Sequence, residues 1–201
     1  MTVTTVTPGD RLEGDLDIEE TIESVPEAYR LRGMFFKGLV DRLENEWPEL
    51  QKRLLEPPRD GRYLNFRDYP QRDYTRLHFA AAVKTYPTVG NRESMRRLSR
   101  SDFDVFAKSV LGRVIVAMIH DAKSALLKVP MVYEKVAPGD WTITAEELDA
   151  RTVRLEFSGL DGAWEYQLGQ LEGISTAFGA HPRIRAEVRG PGHFCFDVEL
   201  R

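Results

Sequence analysis

The chain has 201 residues, 42% of them hydrophobic and 30% charged, with a formal net charge of −4. That length and balance fit one globular domain with a real core and exclude a disordered or fibrous chain. The acidic balance gives no pull toward nucleic acid or an anionic membrane, and the single cysteine, Cys195, excludes an intramolecular disulfide framework.

Residues 1–27 read as an acidic, partly flexible tail. "TVTTVT" is β-prone, and the stretch after it sets Asp10, Glu13, Asp15, Asp17, Glu19, Glu20, Glu23 and Glu27 against one arginine, Arg11. Like charges at this density resist folding alone, so the segment reads as a solvated lead-in or as an arm that docks on a basic surface. It lacks the basic start and apolar core of a secretory signal. No apolar run approaches the roughly 20 residues of a membrane helix. The expectation is a cytoplasmic protein with no membrane insertion.

Residues 28–201 read as a single domain. In "AYRLRGMFFKGLVDRLENEW", Phe35, Phe36, Leu39, Val40, Leu43 and Trp47 fall on one helical stripe, which Pro48 is expected to end. After the breaker cluster "PPRDGRY", Pro70 opens a second long helix that buries Tyr74, Leu77, Ala81 and Tyr86. Asn91 can cap a short helix carrying Met95 and Leu98. "SDFD" has capping-box spacing and leads a helix expected to bury Phe103, Phe106, Val110 and Val114.

After Pro130 the period changes to two. "DWTITAEEL" and "RTVRLEFSG" read as strands, "AWEYQLGQLEGISTAFG" as a helix, and "RIRAEVRGPGHFCFDVEL" as a hairpin turned at "GPG". Helices first, then strand, strand, helix, strand, strand, predict an α+β fold. A helical layer should pack on a twisted antiparallel sheet of about four strands.

The stretches "RLRGMFFKGLVDRL", "YPQRDYTRLHFAAAVKTYP", "RLSRSDFDVFAKSVLGRVIVAM", "LLKVP" and "LGQLEGISTAFGAHPRIRAEV" resemble a bacterial, myxobacterial-type family known only as domain of unknown function 2378. The resemblance runs from about residue 30 to the end and brings no active site. The layout is also similar to a wider superfamily. It holds haem nitric-oxide/oxygen-binding sensors, vinyl-reductase ligand-binding domains and Bet3-type tethering subunits. That likeness implies either a ligand cavity or a filled, dimeric scaffold.

Under this resemblance His120, in "IHDAKSALLKVP", is a weak haem-ligand candidate. The region where those relatives hold the propionates is "VRLEFSGLDGAW" here. It keeps Ser158 but has Phe157 and Leu160 where a hydroxyl and a guanidinium are wanted. His193 and Cys195 share a strand face, but no CxxC or HxxxH completes a metal set. No catalytic residue, metal site or cofactor is assigned.

Arg67, Arg72, Arg76, Arg92, Arg96, Arg97 and Arg100 form a candidate patch for an anion or an acidic partner, or else a solvated face with local ion pairs. Gly169 and Gly173 predict close approach, seating the late helix on the sheet. The expected function is a non-enzymatic binding or sensor domain. It would hold a small, mostly apolar ligand between helices and sheet, walled by Phe36, Val40, Leu77, Phe106, Val110 and Met118. A homodimeric scaffold or protein-interaction module is the alternative, and a His193/Cys195 enzyme a third. A homodimer is expected in either of the first two, and no nucleic-acid partner in any.

Overall fold

A computed structural model describes residues 2–7 and 9–201 of the chain. Five antiparallel strands form the main sheet in the order β1-β6-β7-β5-β4, with β1 Thr2–Val6, β4 Thr142–Glu147, β5 Thr152–Ser158, β6 Pro182–Gly190 and β7 His193–Leu200. The expected strand-strand-helix-strand-strand order is present, with α10 (Trp164–Ala177) between β5 and β6. Alternation fixes the register. Val153, Leu155 and Phe157 face inward opposite Val198, Phe196 and Phe194, and all six are buried. Gly192 turns the hairpin at positive φ.

The fifth strand is a correction. β1 lies within the segment expected to be a flexible lead-in, yet it pairs with β6 from Thr2↔Val188 to Val6↔Ile184, and Val6 is buried. Further along, α1 (Ile18–Ser24) is capped by the Asp17 side chain and buries Ile22. The repulsion among its carboxylates is relieved by arginines elsewhere in the fold. Glu19 pairs with Arg53 and Arg76, and Glu27 with Arg72.

The helical layer holds α2 (Met34–Leu43), α3 (Trp47–Gln51), α4 (Gln71–Thr85), α5 (Asn91–Ser99), α6 (Asp102–Lys108), α7 (Val110–Val116), α8 (Ala122–Leu127) and α9 (Val129–Val136). A two-stranded ladder of β2 (Arg30–Arg32) and β3 (Asp68–Pro70) ties the starts of α2 and α4 together. The first helix ends earlier than Pro48 predicts: Glu44 takes φ 44° and breaks it, and Pro48 stands in the first turn of α3, where its missing N–H loses nothing. A second reset falls at Ser109, whose extended backbone separates α6 from α7 and whose hydroxyl accepts from the Gly112 N–H. The apolar stripe expected to continue from Phe106 is thereby rotated outward. Val110, Val114 and Met118 are about half or more exposed, at 58%, 61% and 49%.

α10 packs on α5 more extensively than on the sheet, which corrects the reading of its glycines. A Cβ on Gly169 would stand 2.0 Å from Ser99 Oγ and 2.1 Å from the Arg96 carbonyl oxygen. A Cβ on Gly173 would stand 2.2 Å from the Arg100 carbonyl oxygen. The close approach is between two helices. The two larger apolar clusters lie among α2, α4 and α6 and where α8 and α10 cover the inner face of the sheet, and a small third one joins Phe79, Met95 and Ala163.

Candidate functional site

A cavity of about 80 Å³ opens within the helical layer where α2, α4, α6, α9 and α10 converge. No strand of the five-stranded sheet lines it, so the expected position between helices and sheet is corrected. Its walls are largely apolar, with Phe35, Phe103, Phe106, Val129, Val132 and Ile174 among them. The polar end is built by α4, α6, α9 and α10.

Asp102 sits at the start of α6 and is 6% exposed. Tyr74 donates to its Oδ2 at 2.8 Å and Tyr166 at 2.5 Å. Gln170 lies one helical turn beyond Tyr166, donates to the Tyr166 hydroxyl at 2.8 Å and accepts from the Tyr133 hydroxyl. These contacts crowd onto Oδ2 and leave Oδ1 without a donor among the described residues. Burial pushes the Asp102 carboxyl up to about 6, against the lowering effect of the tyrosine hydroxyls. Burial, followed by the charge on Asp102, raises the Tyr74 and Tyr166 phenols well above their ordinary range, so both stay neutral donors.

Beyond Tyr74 and Tyr166, a smaller hollow of about 30 Å³ is bordered by His78, Thr75 and Asp161. His78 is fully buried and neither ring nitrogen has a protein partner; burial pushes its pKa down to about 3. It is a neutral core imidazole, stacked edge-on against Tyr166 at 5.1 Å.

Of the six predicted wall residues, Phe106 alone lines the main cavity. Phe36 and Leu77 are fully buried in core that is already filled, Phe36 stacking on Tyr63 at 4.4 Å. Val40 packs half-buried against the same cluster, while Val110 and Met118 face outward. Tyr74, Asp102, Tyr133, Tyr166 and Gln170 were missed as a site. Their sequence signal is faint: polar groups at i and i+4 on the inward face of α10, and an acid among buried positions of α6.

The arginines are not one free surface. Arg96 is fully buried, and its guanidinium meets five acceptors: both oxygens of Glu172, Glu93 Oε2 at 3.2 Å, and the carbonyls of Thr7 and Asp10 at 2.8 Å each. Arg97 and Arg100 complete the cluster on Glu93 and Glu172, each at 2.7 Å. Arg72 holds the carbonyls of Val25 and Glu23, Arg76 pairs with Glu19, and Arg92 with the buried Glu165. Arg67 lies over the Tyr69 ring at 5.3 Å. Arg72 and Arg76 are therefore spent on the N-terminal segment of their own chain, and Arg96 gives it two of its five hydrogen bonds.

Cys195 is buried on β7, and burial pushes its thiol up to about 11, which suppresses the thiolate a nucleophile or metal ligand requires. His193 is exposed. Among the described residues no group of three or more His, Cys, Asp or Glu side chains is placed to hold a metal ion, and no helix is long and apolar enough to cross a membrane.

A family model described as "Protein of unknown function (DUF2378)" matches residues 25–199. No curated protein matches the chain. Among solved structures, an H-NOX protein from S. oneidensis in the Fe(II)NO ligation state superposes with a TM-score of 0.64 at 17% identity, covering 85% of this chain and 99% of that one. The Fe(II) unliganded H-NOX protein from K. algicida gives 0.62 at 16% identity, covering 85% and 97%. These likenesses establish the fold.

The residues of this chain do not fit the haem that such a fold implies. His120 is exposed in the turn before α8, its backbone N–H held by Ser124 Oγ, and it does not line the cavity. Neither arginine nor lysine lines the cavity to meet propionates, and its one charged wall residue is the carboxylate of Asp102. Phe157 and Leu160 are buried in the core beneath the sheet.

Proposed function

Since the chain belongs to the family of unknown function DUF2378, we propose from its own geometry that it is a non-enzymatic binding domain, a sensor module that holds a small, mostly apolar ligand in the helix-lined cavity. The observation that carries this reading is the cavity itself, with apolar walls on most sides and one convergent polar end at Asp102. A filled scaffold would have no reason to keep that space beside an acid. The volume is smaller than the roughly 150 Å³ that benzene occupies in an engineered apolar cavity, so the ligand is of a few heavy atoms or projects through the rim. Helices from both halves of the chain wall the site, so occupancy would be felt as a shift of α9 and α6 against α10.

Native mass spectrometry of the freshly purified chain tests this, beside the rim variant Val132→Trp. The expected result is added mass that vanishes on denaturation and is absent from the variant. A bare mass, together with no thermal stabilisation by a panel of small aliphatic and aromatic compounds, would overturn the reading.

A further inference from the structure

We propose that the ligand class is a small alkylammonium: a short apolar tail with a protonated amine that docks on Asp102. This rests on the binding-site reading above and names its chemistry. Asp102 is the one charged side chain lining the cavity, and no basic group among the described residues forms an ion pair with it. The buried arginine cluster shows how this chain treats carboxylates it means to neutralise internally. Glu93 and Glu172 each receive two guanidinium groups. Asp102 receives only neutral donors, two phenols and the more distant Gln170 amide at 3.5 Å, and all of them on Oδ2. Burying a carboxylate without a cation is costly, and an entering ammonium supplies the missing partner at the free Oδ1.

The rest of the cavity suits the same guest. The rings of Tyr74 and Tyr166 stand at the Asp102 end, and aromatic faces attract a desolvated cation. Phe106, Val129 and Val132 offer the tail an apolar wall. An anionic ligand would meet the carboxylate with no counter-charge. A neutral alcohol could donate one hydrogen bond but would leave the buried charge uncompensated.

Proton competition follows from the same geometry. The groups facing Asp102 are Tyr74 on α4, Tyr133 on α9, and Tyr166 and Gln170 on α10, with Arg42 on α2 acting through space. The phenols remain neutral, and so does His78 behind them at pH 5 and above. Asp102 is then the group that titrates near pH 6 and weakens ammonium binding below it.

The test is an NMR titration of the full chain with n-butylamine, n-butanol and butyrate at pH 7.5 and pH 5, repeated with Asp102→Asn. Expected is butylamine binding at least about ten-fold tighter than butanol at pH 7.5, no butyrate binding, and a loss of about ten-fold for the amine alone at pH 5. The asparagine variant should bind amine and alcohol alike. Butanol binding as tightly as the amine, or an amine affinity unchanged at pH 5, would sink the ammonium assignment while leaving a binding site in place. No binding of any probe would overturn the site reading as well. The pH arm uses the unmodified chain, so it decides the matter even if the variant fails to fold.

Discussion

Two buried ionisable side chains, Asp102 and His78, titrate in opposite senses. Asp102 holds its proton more tightly folded than unfolded, so its contribution to stability is present at low pH and is lost as pH rises through about 6. His78 holds its proton less tightly folded, so its contribution is present above the ordinary histidine range and is lost as pH falls toward about 3. Between pH 7.5 and pH 5 the first gains about 1 kcal/mol on acidification and the second loses about 2 kcal/mol. These two contributions therefore largely offset each other over that interval. Asp102→Asn removes the compensating gain and should lose about 1 kcal/mol more than the native chain between those two pH values, read by urea denaturation. An equal loss in both chains would show that Asp102 does not titrate as its burial requires. None of this was legible at residue level. Asp102 stands in "SDFD", where an acid at a helix start is ordinary, and its burial is created by Tyr74 and Tyr166, 28 and 64 positions away.

At the scale of elements, periodicity located the helices and strands well, because each buries one face and the spacing of apolar residues records it. What it did not record is where a helix resets its phase. The stripe Phe103, Phe106, Val110, Val114 is continuous in sequence and is divided in space by the extended backbone of Ser109. Residues read as cavity wall became surface for that reason alone. The glycines of α10 carry the opposite lesson, since their spacing signalled close approach but not the partner. Alanine for glycine inside a helix is ordinarily favourable by up to about 1 kcal/mol, and Gly38→Ala in α2, with open space around its Cβ, should stabilise by that order. Gly169→Ala should instead destabilise by about 2 kcal/mol, because the methyl meets the backbone of α5. Thermal melts of the pair check both signs, and a stabilised Gly169→Ala would mean the α5–α10 contact is looser than described.

For the whole molecule, the α+β class and the strand-strand-helix-strand-strand order followed from the segregation of periods along the chain. The N-terminal segment did not, because its acidity is compensated by arginines distant in sequence. β1 and α1 lie ahead of the family match, which begins at residue 25, yet they are bound to residues within it. Removing residues 1–11 uncovers the edge of β6 and deprives buried Arg96 of two carbonyl acceptors. It should cost about 3 kcal/mol or more in urea denaturation while leaving ligand binding measurable, since no described residue of that segment lines the cavity. A truncated chain as stable as the native one would show that the segment only rests on the surface.

That same strand sets a schedule. A ribosome makes Thr2–Val6 about 180 residues before the β6 positions that receive them. Throughout synthesis the β-prone "TVTTVT" must stay unpaired, with its backbone donors and acceptors open to any other sheet edge, and a long loop has to close before the strand can settle. The acid-rich stretch that follows it carries the kind of charge that opposes such edge-to-edge pairing. β1 can take its place in the sheet only after β6 has been made.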